Sequence, residues 1–114
     1  MILTDAKKMV LTPTYYVFKM FKEHQNNMLL GSFITSDTIE SKEAKRSCPM
    51  LIESASIDEN GVIYSTIANV SDKKPAKIKC QIADRKIKSI KAEILCGDIH
   101  DKNDFENGDK VKIE

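Results

Sequence analysis

Residues 49–70 read PMLIESASIDENGVIYSTIANV, and they decide the fold class. Two apolar runs, 49–57 and 61–70, flank Asp58, Glu59, Asn60 and Gly61. Asn-Gly between two such runs is a strong hairpin signal, because both residues tolerate the positive φ that a tight turn between twisted strands requires. The first run is entered through Pro49. In the returning run the apolar residues fall on both faces, which predicts a central strand of a sandwich.

On the C-terminal side the same period continues. SDKKP (71–75) reads as a turn. AKIKCQI (76–82) alternates, so Ile78, Cys80 and Ile82 should face a core while Lys77, Lys79 and Gln81 face water. A tight connection at 84–86 leads to IKSIKAEIL (87–95), with Ile90, Ala92 and Ile94 inward. CGDIHDKNDFENGD (96–109) is a long loop, and KVKIE (110–114) is a last short strand with Val111 and Ile113 on one side. On the N-terminal side, LLGSFITSDTIE (29–40) is a strand with turn-like breaks, and SKEAKRS (41–47) is a polar, mobile connection. Five or six antiparallel strands at this spacing predict a mainly β chain, a β-sandwich or open barrel.

One helix precedes the strands. In VLTPTYYVFKMFKEHQ (10–25), Thr12 is a natural N-cap and Pro13 suits the first helical position. The helix is expected over 13–25, with Lys19, Lys22, Glu23 and Gln25 on its polar side. Asn26 and Asn27 can end it, since Asn accepts a left-handed C-terminal conformation. Tyr15, Val17, Phe18, Met20 and Phe21 form an unusually wide apolar face. They are the candidate packing or interface residues, and an oligomer that hides them is expected, because an exposed aromatic stripe is a liability.

Composition removes several function classes. The 114 residues carry a formal net charge of +1. Binding to nucleic acid or to an anionic membrane needs a concentrated basic face, which this chain lacks. The lysines at 73, 74, 77, 79, 86, 88 and 91 alternate with core positions and read as a solvated sheet face. No apolar run approaches the roughly 20 residues of a membrane span. MILTDAKKMVLT is too polar for a secretory signal, so the chain is expected in the cytoplasm unless a signal lies outside it. Cys48, Cys80 and Cys96 lack the spacing of a disulfide framework or a zinc site and read as reduced thiols.

No constellation announces chemistry. Asp98, His100, Asp101, Asp104, Glu106 and Asp109 crowd one loop, but without the spacing or the turn glycine of an EF-hand. Such residues usually cap local backbone groups. His24, at a helix end, suits the helix dipole better than catalysis. Any two glutamates could in principle form a carboxylate pair, but none sits in a local pattern that argues for a raised pKa. The expectation is no catalytic residue, no metal and no cofactor. The absence of Trp argues against a stand-alone carbohydrate-binding module, which remains the alternative together with a protein-interaction module acting through the helix face.

MILTDAKKMVLTPTYYVFKMFKEHQ (1–25) resembles the C-terminal part of glycoside hydrolase family 51 α-L-arabinofuranosidases, in which MILT…MVLTPTYHVFxMYKxHQ follows the last barrel strand. Two further stretches are similar: SASIDENGVIYSTIANVS (54–71), and ILCGDIHDKNDFEN (94–107) with Asn103, Phe105, Glu106 and Asn107 in place. Gly108 stands where the family usually has Pro. The resemblance implies a (β/α)8 barrel followed by a jelly-roll sandwich. Residues 1–28 would be the remnant of the last βα loop and helix of that barrel, and 29–114 the C-terminal sandwich. Further strands would follow Glu114 in the family, so the jelly roll is expected to be incomplete and the chain truncated. The implied chemistry is retaining removal of terminal α-L-arabinofuranosyl groups from arabinan or arabinoxylan. Its two glutamates would lie upstream of Met1, so no catalytic residue carries over. The implied partner is the parent's catalytic barrel, and arabinose-containing polysaccharide would be met only through it.

Overall fold

The hairpin that decided the fold class forms as expected. The structure, a computed structural model, describes all 114 residues. Strands β1 (Ile2–Asp5) and β2 (Lys8–Leu11) precede helix α1 (Pro13–Phe21) and a 3-10 turn (Lys22–His24). Then come β3 (Met28–Leu29), β4 (Thr38–Ser41), β5 (Arg46–Pro49), β6 (Leu51–Ile57) and β7 (Ile63–Asn69). β6 and β7 pair antiparallel from Leu51↔Asn69 to Ile57↔Ile63. Their turn is built by Asp58, whose Oδ1 accepts the N–H groups of Asn60 at 2.8 Å and Val62 at 2.9 Å. Gly61 takes φ 80°, which a side chain would resist.

β3 adds to the other edge of β6, giving the order β3-β6-β7. β6 is therefore the central strand and β7 an edge, the reverse of the expectation for 61–70. Apolar residues on both faces of β7 signalled a strand covered twice, but only β6 pairs with it. The connection expected at 41–47 is an ordered hairpin instead: β4 and β5 pair from Thr38↔Pro49 to Ser41↔Arg46. Polar residues suffice there because Ser41 Oγ accepts the Ala44 N–H at 3.3 Å and Lys45 adopts φ 50°. Only the two ends of 29–40 are strands; residues 30–37 are irregular. Residues 1–11 form the β1–β2 hairpin, with Ala6 at φ 49°.

The expected strands at 76–82, 87–95 and 110–114 do not form ladders. One bridge, Leu95↔Ile113, is all the pairing they show. Of the inward set predicted for 76–82 and 87–95, Ile78, Cys80, Ala92 and Ile94 are exposed and Ile90 is 77% exposed, while Ile82 alone is half-buried. Alternation tells which side chains share a face; it supplies neither a paired neighbour nor a covering layer.

The fold class is an incomplete, mainly antiparallel β-sandwich with one short helix and no closed barrel. Residues 1–20 with 78–114 form one compact unit, and 21–77 form another. In the first, Val10, Val111 and Asn103 are buried; in the second, Met50, Leu51, Ala55 and Ser56. The chain exposes 10136 Å² for 12.9 kDa. A folded monomer of that mass normally exposes about 6,300 Å². Large apolar side chains such as Phe18, Phe33 and Ile90 stay in water, so burial within the chain contributes less stability than in a typical domain of this mass.

Candidate docking interface

Helix α1 begins as the sequence required. The Tyr15 N–H reaches the Thr12 carbonyl at 3.0 Å, and the Thr12 hydroxyl donates to the Met1 carbonyl at 2.6 Å. The helix ends one turn early. The α conformation stops at Phe21 and a 3-10 turn carries the chain to His24. Asn26 then takes φ 64°, the left-handed cap expected of it, and Asn27 Nδ2 donates to the Glu23 carbonyl at 2.7 Å.

At 3.6 residues per turn, Val17, Phe18 and Phe21 fall on one side of the helix and Tyr16 and Met20 on the other. Tyr15, Tyr16 and Met20 are half-buried, and the rings of Tyr15 and Tyr16 meet edge-on with centroids 5.6 Å apart. Val17 and Phe21 are exposed, and Phe18 is 62% exposed. The helix is thus apolar nearly all round, with one side open to water. The five candidate residues do not form one buried cluster.

After the helix, His24 ties the 3-10 turn to the β6–β7 pair. Its Nδ1 lies 2.7 Å from Ser56 Oγ on β6, and its Nε2 lies 3.0 Å from Thr66 Oγ1 on β7. Asn27 Nδ2 also donates to Ser56 Oγ, at 3.2 Å. Each hydroxyl can donate or accept, so it can pair with the ring nitrogen that faces it. A histidine against a serine has the outline of a nucleophile and its base. Here Ser56 is 4% exposed, and a threonine hydroxyl occupies the position of an orienting carboxylate. The geometry is a half-buried bridge, not an attacking group. It also differs from the helix-dipole role expected for His24.

The acidic loop is a chain of local caps. Asp98 Oδ1 accepts the His100 N–H at 3.1 Å, and Asp104 Oδ1 accepts those of Glu106 and Asn107 at 3.1 and 2.8 Å. The Asn107 and Glu106 N–H groups hold the Asp104 carboxyl below its usual pKa. Asp101 Oδ1 meets Lys110 Nζ at 2.6 Å, and its Oδ2 accepts the Asp98 N–H at 3.1 Å. The lysine first, then that N–H, lower the Asp101 pKa. No three His, Cys, Asp or Glu side chains converge in a way that could hold a metal ion. The three cysteines are free and exposed.

The most deeply buried polar side chain in this region is one that the sequence pattern passed over. Asn103 Nδ2 donates to the Leu11 carbonyl at 2.8 Å and to the Val111 carbonyl at 2.7 Å, and its Oδ1 accepts the Val111 N–H at 2.8 Å. Only its place in the N-x-F-E-N stretch set it apart in the sequence.

The architecture is that of a small, mainly antiparallel β domain with one helix. The family model for the α-L-arabinofuranosidase C-terminal domain matches residues 1–114, and the chain belongs to that family. It is 40% identical over 113 residues, 98% of its own length, to a protein of Bacteroides ovatus named intracellular exo-α-L-arabinofuranosidase. The chain spans 22% of the length of that relative. No helix here is long and apolar enough to cross a membrane.

Proposed function

We propose that this chain is the accessory C-terminal domain of a retaining α-L-arabinofuranosidase of glycoside hydrolase family 51. That enzyme would remove terminal α-L-arabinofuranosyl groups from arabinan or arabinoxylan. Residues 1–28 would be the last βα loop and helix of its (β/α)8 barrel, and 29–114 its β-sandwich. The domain is structural: helix α1 seats against barrel strands and neighbouring barrel helices, and both catalytic glutamates come from the barrel. The observation that carries this is the open Val17, Phe18 and Phe21 face on a chain that matches the family along its whole length. A barrel helix packs inward and sideways, so it is apolar on more than one side. The name of the Bacteroides ovatus relative supports the substrate class and a cytoplasmic location.

The test is a chimera. The 114 residues replace the matched segment of the Bacteroides ovatus enzyme, and hydrolysis of 4-nitrophenyl α-L-arabinofuranoside is followed. The chimera should be active and the isolated chain inactive. A soluble but inactive chimera, or turnover by the repurified chain alone, would overturn the assignment.

A further inference from the structure

Asn103 is 3% exposed. Its two bonds to Val111, one to the carbonyl and one from the N–H, are those that a neighbouring strand would make. The carboxamide thus takes the place of a peptide group beside a segment with almost no ladder of its own. Its third bond goes to Leu11, 92 residues away in sequence. Leu11 ends β2 and precedes Thr12, the residue that starts helix α1. Thr12 in turn bonds the Met1 carbonyl through its N–H at 3.1 Å and its hydroxyl at 2.6 Å. One dry side chain therefore holds the open end of the β1–β2 hairpin, the helix start and the 97–111 loop together.

The surroundings leave it little slack. Val10, which precedes Leu11, and Val111 are both buried. A Cβ on Gly97 would lie 3.1 Å from Val111 Cγ2, so the loop closes on Val111 because that residue is glycine. No water reaches the amide to replace a lost partner.

We propose that Asn103 is a positioning residue for the hydrolase reaction: through Leu11 it fixes the Met1–Leu11 hairpin and the first turn of α1. This rests on the function proposed above, in which residues 1–11 are the last βα loop and so lie on the catalytic face of the barrel. Asn103 itself touches no substrate. It acts by holding a loop that borders the sugar.

Two substitutions in the active chimera test it. Asn103→Asp keeps the size and the acceptor but turns a carboxylate toward two carbonyl oxygens. Asn103→Gln keeps both amide groups on a stem one methylene too long. Asp101→Asn, in the same loop, breaks the Lys110 pair and leaves Leu11 untouched. Both Asn103 variants should raise KM for the aryl arabinofuranoside and lower kcat/KM about tenfold, since small misplacements at a site are expensive in rate. Asp101→Asn should not. A role confined to folding would lower apparent kcat through an inactive fraction and leave KM alone. KM unchanged in both Asn103 variants overturns the inference; if Asn103→Asp does not fold, Asn103→Gln decides. An unsubstituted chimera without activity overturns the function instead. The clamp is then judged in the 114-residue chain by amide exchange, where Asn103→Asp should speed exchange at Tyr15 and Val111, and unchanged rates at both overturn it.

Discussion

Asp101 lies two residues before Asn103 and Lys110 directly precedes Val111, and their ionisation makes the loop sensitive to pH at both ends of the scale. Lys110 lowers the Asp101 pKa below 3.8, and Asp101 raises that of Lys110 above 10.5. A lowered carboxyl pKa contributes stability above the unfolded value, and that stability disappears as pH falls through the lower folded value. A raised lysine pKa contributes below its unfolded value and is lost as pH rises through the folded one. The pair should therefore support the loop across the whole neutral range and fail only at the extremes. Urea midpoints measured against pH should show a shoulder on each side, and Asp101→Asn should flatten both. Added salt should shrink the shoulders, because the lysine is solvated. A midpoint that moves with pH identically in the variant would show that the pair contributes nothing.

Among the elements, helix α1 and the β6–β7 hairpin illustrate opposite relations to the rest of the chain. The hairpin is locally determined. Asp58 and Gly61 impose a turn whatever surrounds it, so its existence was legible from residues 49–70. Its place in the sheet was not, because pairing order depends on β3, a strand of only two residues. The isoleucines at 78, 90 and 94 show the same limit from the other side. Their period fixed a face, while burial needed partners that no local pattern encodes. Asn103 and His24 were illegible for a third reason: a polar residue in a loop or at a helix end looks the same in sequence whether it meets water or a buried hydroxyl. For α1, sequence gave the caps and the width of the apolar face. Exposed residues contribute little to the stability of the free chain, so Phe18→Asp should change the unfolding free energy of the isolated chain, read from urea denaturation, by no more than about 0.5 kcal/mol. The same substitution should abolish the activity of the chimera. An active Phe18→Asp chimera would mean that this face is not the one that docks.

At the level of the whole molecule, 10136 Å² of accessible surface is the dominant fact. No large side chain is fully buried, and the apolar core is limited to Val10, Met50, Leu51, Ala55 and Val111. Below a certain buried area a domain depends on something outside itself. The isolated chain should therefore bind 1-anilinonaphthalene-8-sulfonate strongly in native buffer, and the chimera should not. Weak dye binding by the isolated chain would indicate that its apolar faces are covered, through association with further copies.

The division of the chain also has a consequence in time. The unit of residues 21–77 is continuous and its pairings are local, so it can form as soon as that stretch has been synthesised. The other unit is interrupted: residues 1–20 must wait for 78–114. Its defining bond, Asn103 to Leu11, closes across 92 residues. During synthesis at about 5–20 residues per second, the hairpin and helix would spend several seconds outside the ribosome before Asn103 emerges. In that interval the aromatic face of α1 is open, and the Asn103 amide arrives last, as a latch on a hairpin and helix start formed long before it.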